Sequence, residues 1–299
     1  MTDQLEYRAF VDSQEEWPFF MTPWWMDAMC GKEHWSACMV MEKDECLAAM
    51  PFEYRKKYGL TKISTPEFTP HSGPWILRPQ SEKPHSIMAS FEGVVQRLLK
   101  SLPPYSRLDL KLSPETPYSL PFTWAALQES SRYTYRLPVI SAESTFENFN
   151  RTIRKHLQSE DDWIVSVEEM DDILDFLYEH NKHYDKSQLS KLRLLDTIPD
   201  SKVEGIKLGV RKDGKLTAVQ LAIMDKDTVF LLASGVDKSV EHNRSFNNII
   251  WHLVEKYTES INTIDFMGSM DPAVASTYRA LSAIPSRYSQ LSQKRMGLF

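Results

Sequence analysis

Histidine and acidic side chains that could bind a metal lie close together near the middle of the sequence. His180 and His183 are three residues apart, and Asp185 follows two residues later. Two histidines at this spacing share a face of a helix, and imidazole and carboxylate groups are common zinc ligands. The stretch offers no third ligand of clear identity. The sequence therefore predicts no metal site.

Three cations of a second helical segment could bind phosphate. The pattern over residues 141–160 predicts one helix capped by Ser144, with an apolar stripe on one face. Arg151, Arg154 and Lys155 are spaced i, i+3 and i+4, so they share another face. Guanidinium and ammonium groups are well suited to phosphate, which makes the three residues candidates for substrate binding. A solvated basic face is the alternative.

Polar residues that could take part in proton transfer follow a strand-like segment near the C terminus. Asp265 lies within TIDFMGS, and Gly268 and Ser269 come at its end. A carboxylate is a possible general base, and a small residue beside a hydroxyl suits the mouth of a ligand site. We predict catalytic roles for Asp265 and Ser269. The alternative is a turn, with Gly268 giving backbone freedom and Ser269 or Asp271 capping the next helix.

Aromatic side chains provide further candidates for substrate binding. The segment over residues 131–140 has the alternation of a strand, which places Tyr133 and Tyr135 on one face. His183 and Tyr184 follow a predicted amphipathic helix. We predict that these four residues line a pocket, because aromatic groups commonly line ligand sites.

The elements that must position these residues occur twice, in the same order. Residues 37–114 and residues 205–269 each contain a hairpin pattern, a third strand, a loop, a helical segment and a closing strand. This order predicts an α/β (α+β) fold with two pseudo-equivalent domains, 1–140 and 141–299, and a cleft between them. Each domain is expected to contain a mixed, mainly antiparallel sheet flanked by helices.

The composition restricts the class of protein. The formal net charge of −6 argues against indiscriminate nucleic-acid binding, although a local basic patch is compatible with it. No apolar run reaches the roughly 18 residues of a membrane span, and the N terminus has no signal-peptide pattern. The three cysteines have no C-x-x-C spacing and are expected to be reduced. These features predict a cytoplasmic protein and leave the oligomeric state open.

Several segments, in order, resemble one known family. They are FMTPWWMDAMCG, MPFEYRKKYGLTKISTP, HSGPW, SRYTYRL, RTIRKHLQ and TIDFMGSMDPAVASTYRALSA. Together they are similar to FemAB-like proteins of the GNAT acyltransferase superfamily. The resemblance implies two tandem GNAT-like domains, in agreement with the repeat. Fem-type members transfer aminoacyl groups from charged tRNA to peptidoglycan precursors, and other relatives are acetyl- or acyltransferases.

The resemblance also implies a donor site in the second domain. TVFLLASGV and IDFMGS would diverge, with the donor between them, and the loop 241–248 would lie where such proteins hold the pyrophosphate of coenzyme A. The implied donor-binding residues are Ser234, Gly235, Arg244, Ser245, Phe246 and Gly268. Asn247 and Ile249 stand where that loop would have glycine or alanine, and side chains there obstruct close approach to a phosphate.

Two functions follow as expectations. The first is an N-acyltransferase that moves an acetyl, acyl or aminoacyl group to an amine, with acyl-CoA or aminoacyl-tRNA as donor and no permanently bound cofactor. The acceptor would be a small molecule or a peptidoglycan precursor. The second is a non-catalytic GNAT-like binding protein that has lost the acyl-CoA loop. A tRNA donor would further need a basic track that joins residues 55–57 or 151–155 to the cleft.

Overall fold

The computed structural model describes residues 4–159, 163–198, 203–240 and 244–295. The chain divides into two compact units, and each is described by itself below. Unit 1 comprises the residues up to Arg132 together with those from Arg287 onward, and unit 2 comprises Tyr133–Ser286. The domain division at residue 140 that the sequence suggests stays a prediction.

Helices and strands are interspersed along the chain. Those up to the last helix of unit 1 are α1 (Gln4–Asp12), α2 (Pro23–Cys30), β1 (Trp35–Glu42), β2 (Glu45–Lys57), β3 (Leu60–Ser64), β4 (Trp75–Ile76), α3 (Pro84–Lys100), β5 (Arg107–Lys111) and α4 (Leu120–Trp124). The next are β6 (Gln128–Pro138), α5 (Ala142–Asn148), α6 (Arg151–Leu157), β7 (Trp163–Val167), α7 (Met170–His180) and α8 (Lys186–Leu192). The last are β8 (Val203–Lys212), β9 (Lys215–Asp225), β10 (Thr228–Val236), α9 (Ser245–Tyr257), β11 (Thr263–Asp265), α10 (Pro272–Ala280) and β12 (Ile284–Lys294). No helix within the described ranges is long and apolar enough to cross a membrane.

The sheet of unit 1 has the strand order β1-β2-β3-β5-β12, with β4 beside β2. Only β3 and β5 are parallel neighbours, and the other pairs are antiparallel. Helix α3 begins with Pro84 at its first turn, where a missing N–H costs nothing. Its buried stripe, Phe91, Val94, Val95 and Leu98, packs with the apolar face of the strands. This stripe holds the helix on the sheet, since each fully buried aliphatic side chain contributes about 1.5–3 kcal/mol.

The sheet of unit 2 has the strand order β6-β11-β10-β9-β8-β7. Here β10 and β11 are parallel, and β6–β11, β10–β9, β9–β8 and β8–β7 are antiparallel. Helix α9 packs on these strands through the side chains of Ile249, Ile250, Leu253 and Val254, which are fully buried. The spacing i, i+1, i+4, i+5 puts these four on one face, which fixes the direction of the helix over the sheet.

The strands of the two units repeat one arrangement, which confirms the predicted fold class. The order β1-β2-β3-β5-β12 in unit 1 corresponds to β8-β9-β10-β11-β6 in unit 2. In both, a long helix connects the third strand to a parallel fourth strand, and an antiparallel strand follows at the side of the fourth. Unit 2 adds β7 beyond the repeat. The duplicated order of hairpin, strand, helix and strand is thus present in the structure.

The single helix predicted for residues 141–160 is wrong. Two short helices, α5 and α6, take its place, because Phe149 has an extended backbone and breaks the helix. Ser141, and not Ser144, caps α5 by accepting a hydrogen bond from the Ser144 amide. Asn150 then caps α6, its side chain accepting a hydrogen bond of 2.8 Å from the Ile153 amide. Asparagine competes well for such a cap, and this local preference overrides the continuous helical pattern.

Candidate functional site

The parallel strands of unit 2 diverge after a short paired region. Only three residue pairs join β10 to β11, namely Thr228↔Thr263, Val229↔Ile264 and Phe230↔Asp265. Strand β10 continues to Val236 on the side of β9, whereas β11 ends at Asp265. The second half of β10 therefore has an edge that β11 does not cover. The resemblance predicts this divergence.

A β-bulge lies in β10 just beyond the point of divergence. Leu231 is opposite Ala222 and Ala233 is opposite Leu221, so Leu232 is an extra residue in the strand. The buried Gln220 supports the bulge, since its amide donates hydrogen bonds to the carbonyl oxygens of Leu221 and Ala233 at 2.7 and 3.1 Å. Bulges re-aim the backbone next to functional sites. The one signal of this bulge in the sequence is a glutamine within an otherwise apolar part of β9.

Side chains from the connection between α7 and α8 reach the uncovered edge at Ser234. The side-chain amide of Asn181 donates a hydrogen bond of 2.8 Å to the Ser234 carbonyl oxygen. The phenol of Tyr184 is hydrogen-bonded to the Ser234 backbone, and burial raises the pKa of Tyr184, so the phenol is neutral. The Ser234 hydroxyl donates to Gln220 Oε1 at 2.6 Å. The structure thus brings together two of the predicted residues, Ser234 and Tyr184.

An aromatic cluster lies near the same edge. The ring of Tyr278 in α10 is 4.4 Å from that of Phe266 and 5.3 Å from that of Tyr135, between ring centres. Phe246, at the start of α9, lies 6.2 Å from Phe266 and 6.4 Å from Tyr278. The pKa of Tyr278 is raised to about 12, first by burial and then by the nearby Tyr184, Asp265 and Tyr135. The sequence analysis did not single out Tyr278, because nothing in α10 itself marks one residue as facing a site.

Asp265 is buried and its carboxylate is fully engaged. It accepts hydrogen bonds from the Thr134 hydroxyl at 2.5 Å, from Arg136 Nε at 3.1 Å and from the Met267 amide at 2.8 Å. These three contacts fix β6 against β11 and hold the start of the next turn. Such a carboxylate has a positioning role in this geometry. Its predicted role in catalysis stays a prediction.

The residues after β11 form a tight turn. Gly268 has φ +90°, and a Cβ at this position would lie 2.9 Å from the Tyr133 carbonyl oxygen. The Ser269 hydroxyl accepts a hydrogen bond of 3.0 Å from the Asp271 amide, and Asp271 caps α10. These contacts correspond to the turn that the sequence left as an alternative. Participation of Gly268 and Ser269 in ligand binding stays a prediction.

The predicted donor residues at the start of α9 have separate environments. Residues 241–243 of the predicted phosphate loop lie outside the described part of the chain. Arg244 is exposed at the N-cap position and makes no side-chain cap. Ser245 is buried, and its hydroxyl shares a hydrogen bond of 2.8 Å with the Thr217 hydroxyl. Gly235 packs against α7, since a Cβ there would lie 3.1 Å from a methyl carbon of Leu177.

The remaining predicted residues are not brought to the edge of β10 by any contact within the described ranges. Arg151 and Lys155 are exposed on α6, Arg154 is half-buried there, and Tyr133 is exposed on β6. His183 is exposed, and its backbone amide donates a hydrogen bond to the Asn181 side chain.

The two histidines of the rejected metal motif do not share a site. His180 Nδ1 lies 3.5 Å from the carboxylate of Asp237, which is in turn hydrogen-bonded to Ser239. His183 faces solvent. Among the described residues, no three histidine, cysteine, aspartate or glutamate side chains are grouped closely enough to bind a metal ion.

Comparisons with known proteins support the fold. No protein-family model matches the sequence. No curated protein matches it either. Among solved structures, FemX is similar over 97% of this chain and 96% of its own, with a TM-score of 0.62 and 10% identity. L-PGS from Bacillus licheniformis is similar over 99% and 93%, with a TM-score of 0.54 and 8% identity.

A tandem GNAT protein from the clavulanic acid biosynthesis pathway is also similar, over 89% of this chain and 84% of its own, with a TM-score of 0.53 and 9% identity. Such low identities carry information about the fold alone. The similarity to FemX extends over both units of the chain. The chain therefore has the fold shared by FemX and the tandem GNAT protein.

Proposed function

We propose that the protein is an N-acyltransferase that transfers an acetyl, acyl or aminoacyl group to an amine at the uncovered edge of β10. The observation that carries the proposal is the divergence of β10 from β11 after three residue pairs, followed by the bulge at Leu232. A strand edge that has lost its neighbour presents backbone N–H groups to a ligand. Fixed N–H donors stabilise the oxyanion that develops when an amine attacks a carbonyl.

We place the carbonyl group of the donor at the backbone of Ser234. Tyr184 and Asn181 now occupy the hydrogen-bonding groups of this residue, and both belong to the connection after α7. A donor carbonyl oxygen accepts a hydrogen bond from an N–H just as a phenol oxygen does. In our proposal the donor displaces the Tyr184 phenol, which then borders the acyl group.

Tyr278 is our candidate for the general acid. Because burial raises its pKa to about 12, the phenol keeps its proton at neutral pH and can donate it. In the transfer, a C–N bond forms between amine and carbonyl carbon, and the C–S bond of a thioester or the C–O bond of an ester breaks. Tyr278 protonates the departing sulfur or oxygen, and the amine releases a proton to solvent. Asp265 accepts hydrogen bonds from Arg136 of β6 and from the Met267 amide, and so fixes the strand and the turn beside Tyr278.

The donor is an aminoacyl ester of tRNA or an acyl thioester of coenzyme A. Similarity of fold to FemX and to a tandem GNAT protein supports both chemistries. The start of α9 favours the ester, because the side chains of Ser245 and Asn247 are buried where a glycine-rich loop would admit a pyrophosphate. A small-molecule or peptidoglycan-precursor amine is the proposed acceptor.

The test measures thermal stability and turnover of the full chain with coenzyme A, acetyl-CoA, longer acyl-CoAs and charged tRNA. A donor at 100 times its Kd raises the free energy of unfolding by about 2.7 kcal/mol, which a melting curve detects. We expect a shift with one donor class, and product formation when amines are added. Absence of turnover with every donor would overturn the proposal.

Two variants assign the roles. Tyr278→Phe should keep the stability shift but lower kcat by about 100-fold or more, since general acids contribute roughly 10²–10⁴ in rate. Tyr178→Phe, on the exposed side of α7, is the matched control and should leave kcat unchanged. Equal kcat values for the two variants would remove Tyr278 from the mechanism.

The second candidate function is a binding protein without catalysis. The observation that favours it is that Asn181 and Tyr184 already satisfy the Ser234 backbone. For a binding protein, Tyr184→Phe should neither increase donor binding nor give turnover. For a transferase, the same variant should bind the donor more tightly, because the hydrogen bond that competes with the donor is gone. Isothermal titration with each donor distinguishes the two functions.

A further inference from the structure

One hairpin turn of unit 1 differs from the other tight turns of the molecule. In the described residues, four two-residue turns connect neighbouring strands, and the first turn residue in each has positive φ: Lys43 (55°), Tyr58 (52°), Asp213 (51°) and Lys226 (54°). Such turns favour asparagine, aspartate and glycine, and a bulky residue is uncommon there. Three of the four carry a charged residue. The turn between β2 and β3 carries a tyrosine.

Packing does not explain this tyrosine. The side chain of Tyr58 is 91% exposed, and Leu60, two residues later, is 58% exposed. The ring contacts a cation of the same hairpin, with Lys57 Nζ 5.3 Å from its centre. An aromatic and an aliphatic side chain therefore stand in solvent at the tip of one hairpin.

Cations surround the two apolar side chains. The register pairs Lys57 with Leu60 and Arg55 with Lys62, so these four side chains lie on one face of the hairpin. Arg55 forms an ion pair with Glu53 at 2.5 Å. The lysines of the hairpin differ from Arg55 in their ion pairing.

Lys56, Lys57 and Lys62 make no ion pair with any residue that the structure describes. Their charge stands against a formal net charge of −6 for the whole chain. The hairpin tip is thus a local basic surface with exposed apolar groups.

We propose that the tip of the β2–β3 hairpin, residues 54–62, docks on the surface of an anionic lipid bilayer. Tyrosine is suited to the headgroup level of a membrane, where its ring lies next to the acyl chains and its hydroxyl stays in water. Leu60 enters the same boundary, and the lysines contact the lipid phosphates. The inference does not depend on the proposed transferase activity.

A nucleic acid fits this surface less well. Proteins that bind single strands use a basic groove in which several aromatic rings stack on successive bases. Here one ring stands at the convex tip of a turn, and the exposed Leu60 gains nothing from a phosphate backbone. The exposed apolar groups favour a bilayer over a nucleic acid, because of these two partners only the bilayer removes them from water.

The experiment measures binding of the full chain to phosphatidylcholine vesicles with and without phosphatidylglycerol, by co-sedimentation. We expect binding only when the anionic lipid is present, and weaker binding as salt increases. The double variant K57E/K62E should bind about 30-fold more weakly or worse, since each surface cation contributes about fivefold. The double variant Y58S/L60S should lose the binding that persists at high salt.

The matched control is K43E/K226E, which reverses two lysines at other hairpin turns and should bind as the unaltered chain does. Far-ultraviolet circular dichroism melting curves show that each variant is folded. Failure of the unaltered chain to bind anionic vesicles would overturn the proposal. So would equal losses in control and hairpin variants, or binding of an RNA oligonucleotide without binding of vesicles.

Discussion

The parallel strand pairs of unit 1 and unit 2 begin alike and end differently. In unit 1, β3 and β5 share three residue pairs, Lys62↔Arg107, Ile63↔Leu108 and Ser64↔Asp109, as β10 and β11 do in unit 2. Beyond them, the loop over residues 65–74 continues along β5. Its Thr65 and Ser72 amides donate to the carbonyl oxygens of Asp109 and Lys111, and the Thr65 hydroxyl accepts from the Lys111 amide.

The comparison shows how one topology gives a closed and an open edge. In unit 1 the chain that follows β3 stays hydrogen-bonded to β5, so backbone keeps the space between the two strands closed and a ligand would have to displace the loop. In unit 2 β10 parts from β11, and two side chains, Asn181 and Tyr184, occupy the hydrogen-bonding groups at Ser234 that β11 does not cover. Side chains rotate at far lower cost than a loop unfolds. This difference is the reason to place the donor in unit 2.

The largest effect is expected at the aspartate that occupies the third position in each of the two parallel strand pairs. Asp265 and Asp109 are the third residues of the two pairs, with side chains 4% and 25% exposed. Asp265→Ala should lower the free energy of unfolding by about 3 kcal/mol, because it removes a buried carboxylate that accepts hydrogen bonds from Thr134, Arg136 and the Met267 amide. Asp109→Ala should cost about 1 kcal/mol, since its main contact is a hydrogen bond from Gln290. Urea unfolding of the full chain measures both, and similar losses would contradict the difference.

The next effect concerns the turn that ends the open strand pair. Gly268→Ala should cost about 2–3 kcal/mol, because the residue has φ +90° and its Cβ would lie 2.9 Å from the Tyr133 carbonyl oxygen. Gly214→Ala is the control, at φ +77° with no atom within 4 Å of the added Cβ. The control should cost about 1 kcal/mol, from the backbone alone. A difference of zero in urea unfolding would mean that the turn after β11 relaxes freely.

A smaller effect tests how the loop over residues 65–74 is held along β5 in unit 1. Thr65→Val removes the hydroxyl that accepts from the Lys111 amide at 2.8 Å and from the Ser72 hydroxyl at 2.8 Å. Ser72 is buried, so the loss of the acceptor for its hydroxyl should cost about 1–2 kcal/mol. Tyr184→Phe, the change made for comparison in unit 2, should cost less than about 1 kcal/mol, because Ser234 is half-buried and water can replace the lost hydrogen bond to its backbone. Amide hydrogen exchange in the full chain reports each site, and a reversed order would contradict the comparison.

A pH-dependent effect separates the two units under alkaline conditions. Burial raises the pKa of Cys38 in unit 1 from 9.0 to about 11, and burial raises that of Tyr278 in unit 2 from 10.0 to about 12. The folded state therefore holds each proton more tightly than the unfolded state. The stabilisation is complete below the unfolded pKa and is lost between pH 9 and 11 for Cys38, and between pH 10 and 12 for Tyr278. Under reducing conditions Cys38→Ala should flatten the stability curve between pH 9 and 11, and an unchanged curve would exclude the thiol.

Much of the fold could be predicted from the sequence, and much less of the site. The hairpin patterns and the helix over residues 86–102 were recognisable because alternation and helical period are local. The helix over residues 141–160 failed because a cap at Asn150 outweighed the period. At the site, Ser234 and Tyr184 were named and meet in the structure, but Tyr278 and the bulge at Leu232 were not named.

The sequence by itself determined the order of strands and helices, their repetition and the pairing of each hairpin. These depend on which residues are apolar and on the turn between them, so nearby residues suffice. The tertiary structure alone decided where β10 parts from β11 and which side chains meet there. Tyr184, Ser234 and Tyr278 come from segments some fifty residues apart. Only long-range packing sets their distances, because Tyr184 lies in the connection after α7, Ser234 in β10 and Tyr278 in α10.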